Sequence, residues 1–280
     1  MNRLMVFQTD FTYKEGAICA MYGVAKSVDR TLDITDGTHD LPQYDTWSAS
    51  YRLYQSMKFW PEGTVFVSVV DPGVGTPRKA SVAKTSDGYY VVTPDNGSLT
   101  HLAAWVGIDE IREIDETINR LKGKGTEGVS IFHGRDLFGY CGARLAAGII
   151  TYEEVGEAYP VSEIVCHEII QPIIEKGLVK GVFEINDPNF GNLWTNIHTN
   201  DFLAAGFNYG DYVDVIVKEN GVVRYEDHVL FERSFGYAIK GDVMIYNNEL
   251  MKIAMAMNQG SFCDSFNLAH GPEWTVSFSK

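Results

Sequence analysis

TVFVSVVDPGVGTPR, residues 64–78, is the stretch whose reading decides the fold. From Thr64 to Asp71 the side chains are apolar or β-branched with almost no alternation, the pattern of a strand buried on both faces. Pro72, Gly73 and Gly75 then force a tight course, and Arg78 comes seven residues after Asp71. Such a loop can fold back so that Arg78 faces Asp71; the plainer alternative is a strand exit followed by a surface arginine. The loop lacks the G-x-x-x-x-G-K-[ST] and G-x-G-x-x-G patterns, which disfavours phosphate binding.

Outward from this strand, apolar runs and helical spacings alternate. Leu4 to Asp10 and Thr31 to Thr35 read as strands, and Tyr89 to Gly97 as another. Glu15 to Val28, Asp45 to Phe59 and Arg135 to Gly148 read as helices. This alternation predicts an α/β N-terminal domain, a mostly parallel sheet with helices on both faces, over residues 1–160. After a linker at 161–176 the pattern changes to short, often alternating segments, with a hairpin signal at Glu219 to Gly221. Residues 177–280 are therefore expected to form an all-β, barrel-like domain.

Composition bounds the function. The chain has 280 residues, 45% of them hydrophobic, 23 basic and 37 acidic, for a net charge of −14. That charge argues against nucleic-acid binding and against docking on anionic lipid. It would suit a cationic ligand, but solubility alone is the commoner reason for an acidic chain and is the first reading. No run approaches the roughly 20 apolar residues of a membrane span, and the N-terminus lacks a signal-peptide pattern, so a cytoplasmic protein is expected. The four dispersed cysteines, Cys19, Cys141, Cys166 and Cys263, fit packed thiols better than disulfides or zinc ligands. With no H-E-x-x-H and scattered histidines, no metal is expected.

Ligands of α/β sheets bind at the carboxyl ends of strands. Asp10, Asp71 and Asp95–Asn96 all end strands here, and three such ends together suggest a polar cleft rather than three separate turns. His133 and Gly134, in IFHGRDLFG, precede a helix at a place where backbone N–H groups are free. Beside an aspartate and an arginine on neighbouring loops, His133 becomes a candidate proton-handling group. A third cluster, INDPNFGNLWTNIH, offers Asp187, Asn192 and Asn196 among Phe190 and Trp194, which suits a stacked, hydrogen-bonded purine, although such aromatics also serve as core.

Taken in order, TDF, VVDPGVGTPR, TPDNGSLT, FHGRD and NFGNLWTNI resemble the S-adenosyl-L-methionine (SAM) hydroxide adenosyltransferases, the SAM hydrolases related to fluorinases and chlorinases. The resemblance implies hydrolysis of SAM at C5′ to adenosine and methionine, with SAM as substrate and no cofactor. It also implies a homotrimer whose sites lie at subunit interfaces. It carries a catalytic set onto Asp71, Arg78 and His133, and ribose binding onto Asp10, with Tyr44 beside the sugar. Asp187 matches a contact to the methionine ammonium, and Phe190, Asn192 and Trp194 match the adenine pocket. The halogenases have tyrosines at the positions of Asp71 and His133, and the fluorinase has a halide-binding serine where Gly134 stands, so the resemblance favours water over halide.

Three departures stand out. Thr12 replaces a glycine of the family's TDFG, DITDGTH carries an apparent insertion before His39, and Asn247–Asn248–Glu249 occupies the stretch that helps hold the methionine carboxylate. Asn247 and Asn248 are candidates for that task, whereas Glu249 opposes it. A halogenase, a non-catalytic SAM or adenosine binder, and a protein whose polar loops are only structural are the competing readings.

Overall fold

A computed structural model describes residues 2–280 apart from 124, 127 and 130. The chain divides into two compact units, Met1–His167 and Glu168–Lys280.

The first unit is built on β1 (Leu4–Thr9), α1 (Ala17–Val28), β2 (Asp33–Thr38), α2 (Thr46–Ser56), β3 (Val65–Val69), β4 (Ala80–Thr85), β5 (Tyr90–Pro94), α3 (Thr100–Trp105), β6 (Ile108–Glu113), α4 (Glu116–Asn119), α5 (Tyr140–Ala146) and β7 (Ala158–Tyr159). Its sheet runs β2-β1-β3-β5-β4-β6-β7. The parallel character expected from the sequence holds from β2 to β5, and the pairings β5–β4, β4–β6 and β6–β7 are antiparallel. The sheet is therefore mixed. The short, partly polar strands β4, β6 and β7 lack the long apolar runs that mark β1 and β3.

From β1 the chain crosses to β2 on one side and then returns past β1 to β3 on the other. Right-handed crossovers in opposite directions place their helices on opposite faces. Accordingly Met5, Phe7, Val65 and Val67 pack with Ile18 and Met21 of α1 and with Cys141 and Leu145 of α5. The alternate residues Val6 and Phe66 pack on the other face with Leu53, Leu99 and Leu102. Two covered faces explain why the strands read as continuous apolar runs. At Gly142 a Cβ would stand 2.7 Å from Val67, so only glycine lets α5 approach the sheet this closely.

Two elements differ from expectation. The helix expected from Arg135 begins instead as a wide π turn, Gly134–Gly139, before α5. In the other, β2 extends through Thr38, and its pairing with β1 jumps from Phe7↔Asp36 to Gln8↔Thr38. The apparent insertion is thus absorbed as a β-bulge at Gly37. Among the thiols only Cys141 is buried, and Cys19 and Cys166 are exposed rather than packed.

The second unit holds β8 (Ile173–Glu175), β9 (Leu178–Asp187), β10 (Asn192–His198), α6 (Thr199–Ala204), β11 (Tyr212–Glu219), β12 (Val222–Phe231), β13 (Val243–Asn247), β14 (Lys252–Met257), α7 (Phe262–Phe266) and β15 (Trp274–Ser279). Seven strands, β9-β10-β14-β13-β12-β11-β15, close on themselves through the β10–β9 pairing, with β8 added beside β9. Closure removes the sheet edges. The interior holds Phe183, Leu193, Val215, Phe231, Met255 and Phe278, with Phe202 of α6 and Phe262 of α7 packed into the same core. Asn220 and Gly221 both have positive φ, 48° and 81°, and make the two-residue turn joining β11 to β12.

Candidate active site

The strand order reverses between β1 and β3, which is where an open α/β sheet leaves a crevice at its carboxyl edge. Asp10 leaves β1 and Asp71 follows β3 at this point. A cavity of about 470 Å³ lies here, lined by Asp10, Phe11, Glu15, Ala17, Gln43, Tyr44, Asp71, Ile131 and Phe132.

The loop after β3 does fold back. Val74 N–H donates to the Asp71 carbonyl and Thr76 N–H to that of Gly73, two successive turns that return the chain to Arg78. Arg78 grips Asp71 side-on, Nε to Oδ1 at 3.0 Å and Nη2 to Oδ2 at 2.5 Å, the bidentate fork geometry of a strong pair. The same Nη2 lies 2.9 Å from His133 Nδ1. Guanidinium nitrogens only donate, so Nδ1 accepts, and a neutral His133 carries its proton on Nε2. That Nε2 is buried and has no hydrogen-bond partner among the described residues. Burial, and after it the charge of Arg78, hold the imidazole pKa below its ordinary 6.5. The structure thus brings a carboxylate, a guanidinium and an imidazole from two loops into one chain, with a spare donor at its end.

Asp10 is almost buried, and its Oδ2 accepts the Tyr44 N–H at 2.9 Å. Burial raises its pKa, and the nearby Asp71 charge adds to this against the pull of the backbone donors. Tyr44, 68% exposed, sits at φ 66° and lines the cavity in a backbone conformation that tyrosine disfavours. Gly134 is walled in: a Cβ there would stand 3.1 Å from the ring of Phe11, which lines the cavity.

Asp95 and Asn96 are placed elsewhere. Asp95 accepts from Tyr159 Oη and from Val165 N–H, both at 2.9 Å, and so ties residues 159–165 to the exit of β5. Asn96 donates to the Val70 carbonyl at 2.9 Å and pins the exit of β3. Neither lines the cavity. Glu15, which does, escaped the sequence reading; its position five residues after Asp10 on the same loop was the available signal.

Thr12 adopts φ 58°. A β-branched residue in this region costs about 1–2 kcal/mol, of which the extra backbone freedom of glycine takes back part. Its hydroxyl accepts the Lys14 N–H at 3.2 Å, a small compensation. Thr12→Gly is therefore expected to stabilise the protein by about 0.5–1 kcal/mol, read as a rise in thermal midpoint; a fall would show that the hydroxyl contact outweighs the strain.

In the barrel unit Asp187 and Asn192 face each other across β9 and β10, with Nδ2 to Oδ2 at 3.5 Å. The Trp194 indole donates to Tyr246 Oη at 3.2 Å, and Phe190 is exposed in the turn between the strands. Asn247 Oδ1 accepts from Tyr209 Oη. Asn248 Oδ1 accepts from the backbone of Leu250 and Lys252, while its Nδ2 is buried without a partner among the described residues. Among the described residues no group of three or more histidine, cysteine or acidic side chains is placed to hold a metal, and no helix is long and apolar enough to cross a membrane.

The first unit is an α/β fold with a carboxylate-lined cavity at its switch point, and the second is a closed seven-stranded barrel. The particular family follows from comparison with known domains. Residues 5–156 match the SAM hydroxide adenosyltransferase N-terminal domain and residues 183–275 the C-terminal domain, and the chain belongs to that family. It is 28% identical to the (R)-S-adenosyl-L-methionine hydrolase of Methanocaldococcus jannaschii, over 92% of this chain and 90% of the relative. It is 27% identical to a fluorinase of Actinoplanes, over 99% and 98%. The crystal structure of an uncharacterised conserved protein from Thermotoga maritima superposes with a TM-score of 0.89 at 31% identity, covering 99% of this chain and 100% of that one.

Proposed function

We propose that this protein hydrolyses SAM, with water attacking C5′ in line with the sulfonium. The C5′–O bond forms as the C5′–S bond breaks, the sulfur keeps the electron pair as neutral methionine, and water loses one proton. The observation that carries the reading is the Asp71–Arg78–His133 chain, whose carboxylate lines the cavity and whose imidazole keeps a spare Nε2 donor. A cavity water donating to Asp71 has a lone pair left for attack, while His133, outside the cavity lining, accepts from Arg78 through Nδ1. Asp71 is then the first acceptor of the proton, and Arg78 fixes both partners. A positioned base contributes roughly 10²–10⁴-fold, and alignment of attack can add more. Asp10 would accept from the ribose hydroxyls and Tyr44 would cover the sugar. For the barrel unit, the reading gives Asp187 the ammonium and Phe190, Asn192 and Trp194 the base. It also carries the homotrimer, which light scattering would read as three times 31.3 kDa.

Chromatography of purified protein incubated with SAM tests this: adenosine and methionine should appear in equal amounts. Tight binding without turnover would overturn it. A 5′-halo-5′-deoxyadenosine formed in chloride or fluoride would overturn it in favour of halogenation.

The pH profile follows from the two shifted groups. Asp10 neutralises at a pH above its ordinary 3.8, and His133 protonates below its ordinary 6.5, where it would lose its acceptor for Arg78. Both changes remove function as pH falls. kcat/KM should therefore fall as pH falls, with the His133 step below 6.5 and the Asp10 step above 3.8; activity that rises as pH falls through this range would contradict both assignments.

A further inference from the structure

His39 is buried between two loops of the first unit that carry part of the cavity wall. The loop after β1 brings Asp10 and Phe11, and the loop after β2 brings Gln43 and Tyr44. Thr12 N–H donates to the His39 carbonyl at 2.8 Å, and Leu41 N–H to the Thr9 carbonyl at 3.4 Å. The imidazole makes the deeper link. Its Nε2 lies 3.0 Å from Asp36 Oδ1 and 3.4 Å from Tyr22 Oη, and its Nδ1 lies 2.8 Å from Thr9 Oγ1. A carboxylate only accepts, so Nε2 carries the proton, and Nδ1 of the neutral ring accepts from the Thr9 hydroxyl. With the proton on Nδ1 instead, Nε2 and the carboxylate would face each other as two acceptors. The Thr9 oxygen keeps its lone pairs for the Phe11 N–H, which donates to it at 3.1 Å. Tyr13 covers the pair: its ring stands across the imidazole at 5.0 Å, and its hydroxyl donates to Asp36.

We propose that Asp36, His39 and Thr9 form a positioning chain for the Asp10 carboxylate. The inference rests on the reading that Asp10 accepts from the ribose hydroxyls, and it adds three residues that do not line the cavity themselves. Asp36 selects the imidazole tautomer, the imidazole sets the direction of the Thr9 hydroxyl, and the hydroxyl oxygen holds the Phe11 N–H. Asp10 sits between these two anchored residues, and its Oδ2 accepts the Tyr44 N–H at 2.9 Å, so both loops hold it. Because Asp10 grips the sugar rather than the attacking water, loss of the chain weakens binding more than chemistry.

The test uses Thr9→Val, which keeps the buried volume without the hydroxyl, Thr9→Ser, which keeps the hydroxyl, and Asp36→Ala. Adenosine affinity and SAM kinetics are measured on each variant where it is fully folded. Thr9→Val should raise the adenosine Kd and the KM for SAM about tenfold, and Asp36→Ala about threefold, with kcat lowered less than about threefold in both. Thr9→Ser should stay within about twofold of the wild type. The imidazole nitrogen-15 spectrum should show His39 protonated on Nε2 alone in the wild type and as mixed tautomers in Asp36→Ala. Unchanged Kd and KM in Thr9→Val, even with a lower thermal midpoint, would overturn the proposal, as would a wild-type His39 protonated on Nδ1. Either result leaves the hydrolytic reading standing if SAM is cleaved. If the wild type binds adenosine without cleaving SAM, the hydrolytic reading falls, and the variants' adenosine affinities still decide the positioning. A wild type that binds no adenosine would overturn the proposal outright. Should Thr9→Val fail to fold, Asp36→Ala and the wild-type spectrum decide.

Discussion

Asp71→Asn should lower SAM turnover about a thousandfold, within the range a positioned base supplies, while changing SAM affinity by less than about tenfold. The substitution keeps the shape of the side chain. It removes one of the two oxygens that Arg78 holds at 3.0 and 2.5 Å, and with it the negative charge facing the cavity. Arg78 then has one acceptor fewer, which loosens the guanidinium that donates from Nη2 to His133 Nδ1. Chemistry should suffer far more than binding, because only the attacking water depends on a basic oxygen at this position. Single-turnover kinetics with equilibrium binding separates the two. A variant with near wild-type turnover would remove Asp71 from the mechanism.

Lys252→Met should destabilise the protein by about 3–5 kcal/mol at neutral pH, a large part of the 5–15 kcal/mol typical of a folded protein. Lys252 Nζ lies 2.5 Å from Glu184 Oε2, and the two residues are only 6% and 3% exposed. Burial raises the Glu184 pKa and lowers that of Lys252, each against the pull of its partner. Without the lysine, the carboxylate either keeps its charge in a buried site or takes up a proton. A folded-state pKa raised above the unfolded value means that the folded state binds the extra proton. The deficit should therefore shrink as pH falls toward the ordinary Glu value of 4.5 and grow as pH rises. Replacing both residues by apolar ones of similar volume should recover most of the loss. Urea midpoints at pH 5 and pH 8 measure this; a deficit below 1 kcal/mol at both would show that the pair contributes little.

Much of the candidate site was legible because its residues sit at strand ends. Asp10 and Asp71 are marked by the apolar runs before them, and the Pro72, Gly73 and Gly75 loop explains how Arg78 returns. Asp95 carries the same mark and proved different: Tyr159 and Val165, more than 60 residues away along the chain, claim both its oxygens. Glu15 was passed over because an acidic residue before a helix reads as an ordinary terminus, and indeed its Oε1 accepts the Ala17 N–H. Only the folded loop shows that it also borders the cavity. The antiparallel half of the first sheet was missed for a similar reason. β4 and β6 mix polar with apolar residues, and although β4 pairs with the next strand β5, β6 reaches β4 only across the intervening β5 and α3.

What the amino-acid order determined by itself is local: which runs are buried, where they end, which turns need glycine, and how acidic the whole chain is. Those properties depend on neighbours a few residues apart, so period and composition report them. The tertiary structure alone decided which strand ends share a crevice, which nitrogen of His133 is left as a donor, and which carboxylates are tied up within the fold. Each of these depends on contacts between residues far apart in the chain, such as Arg78 with His133, and strand order and loop course fix such contacts only after folding.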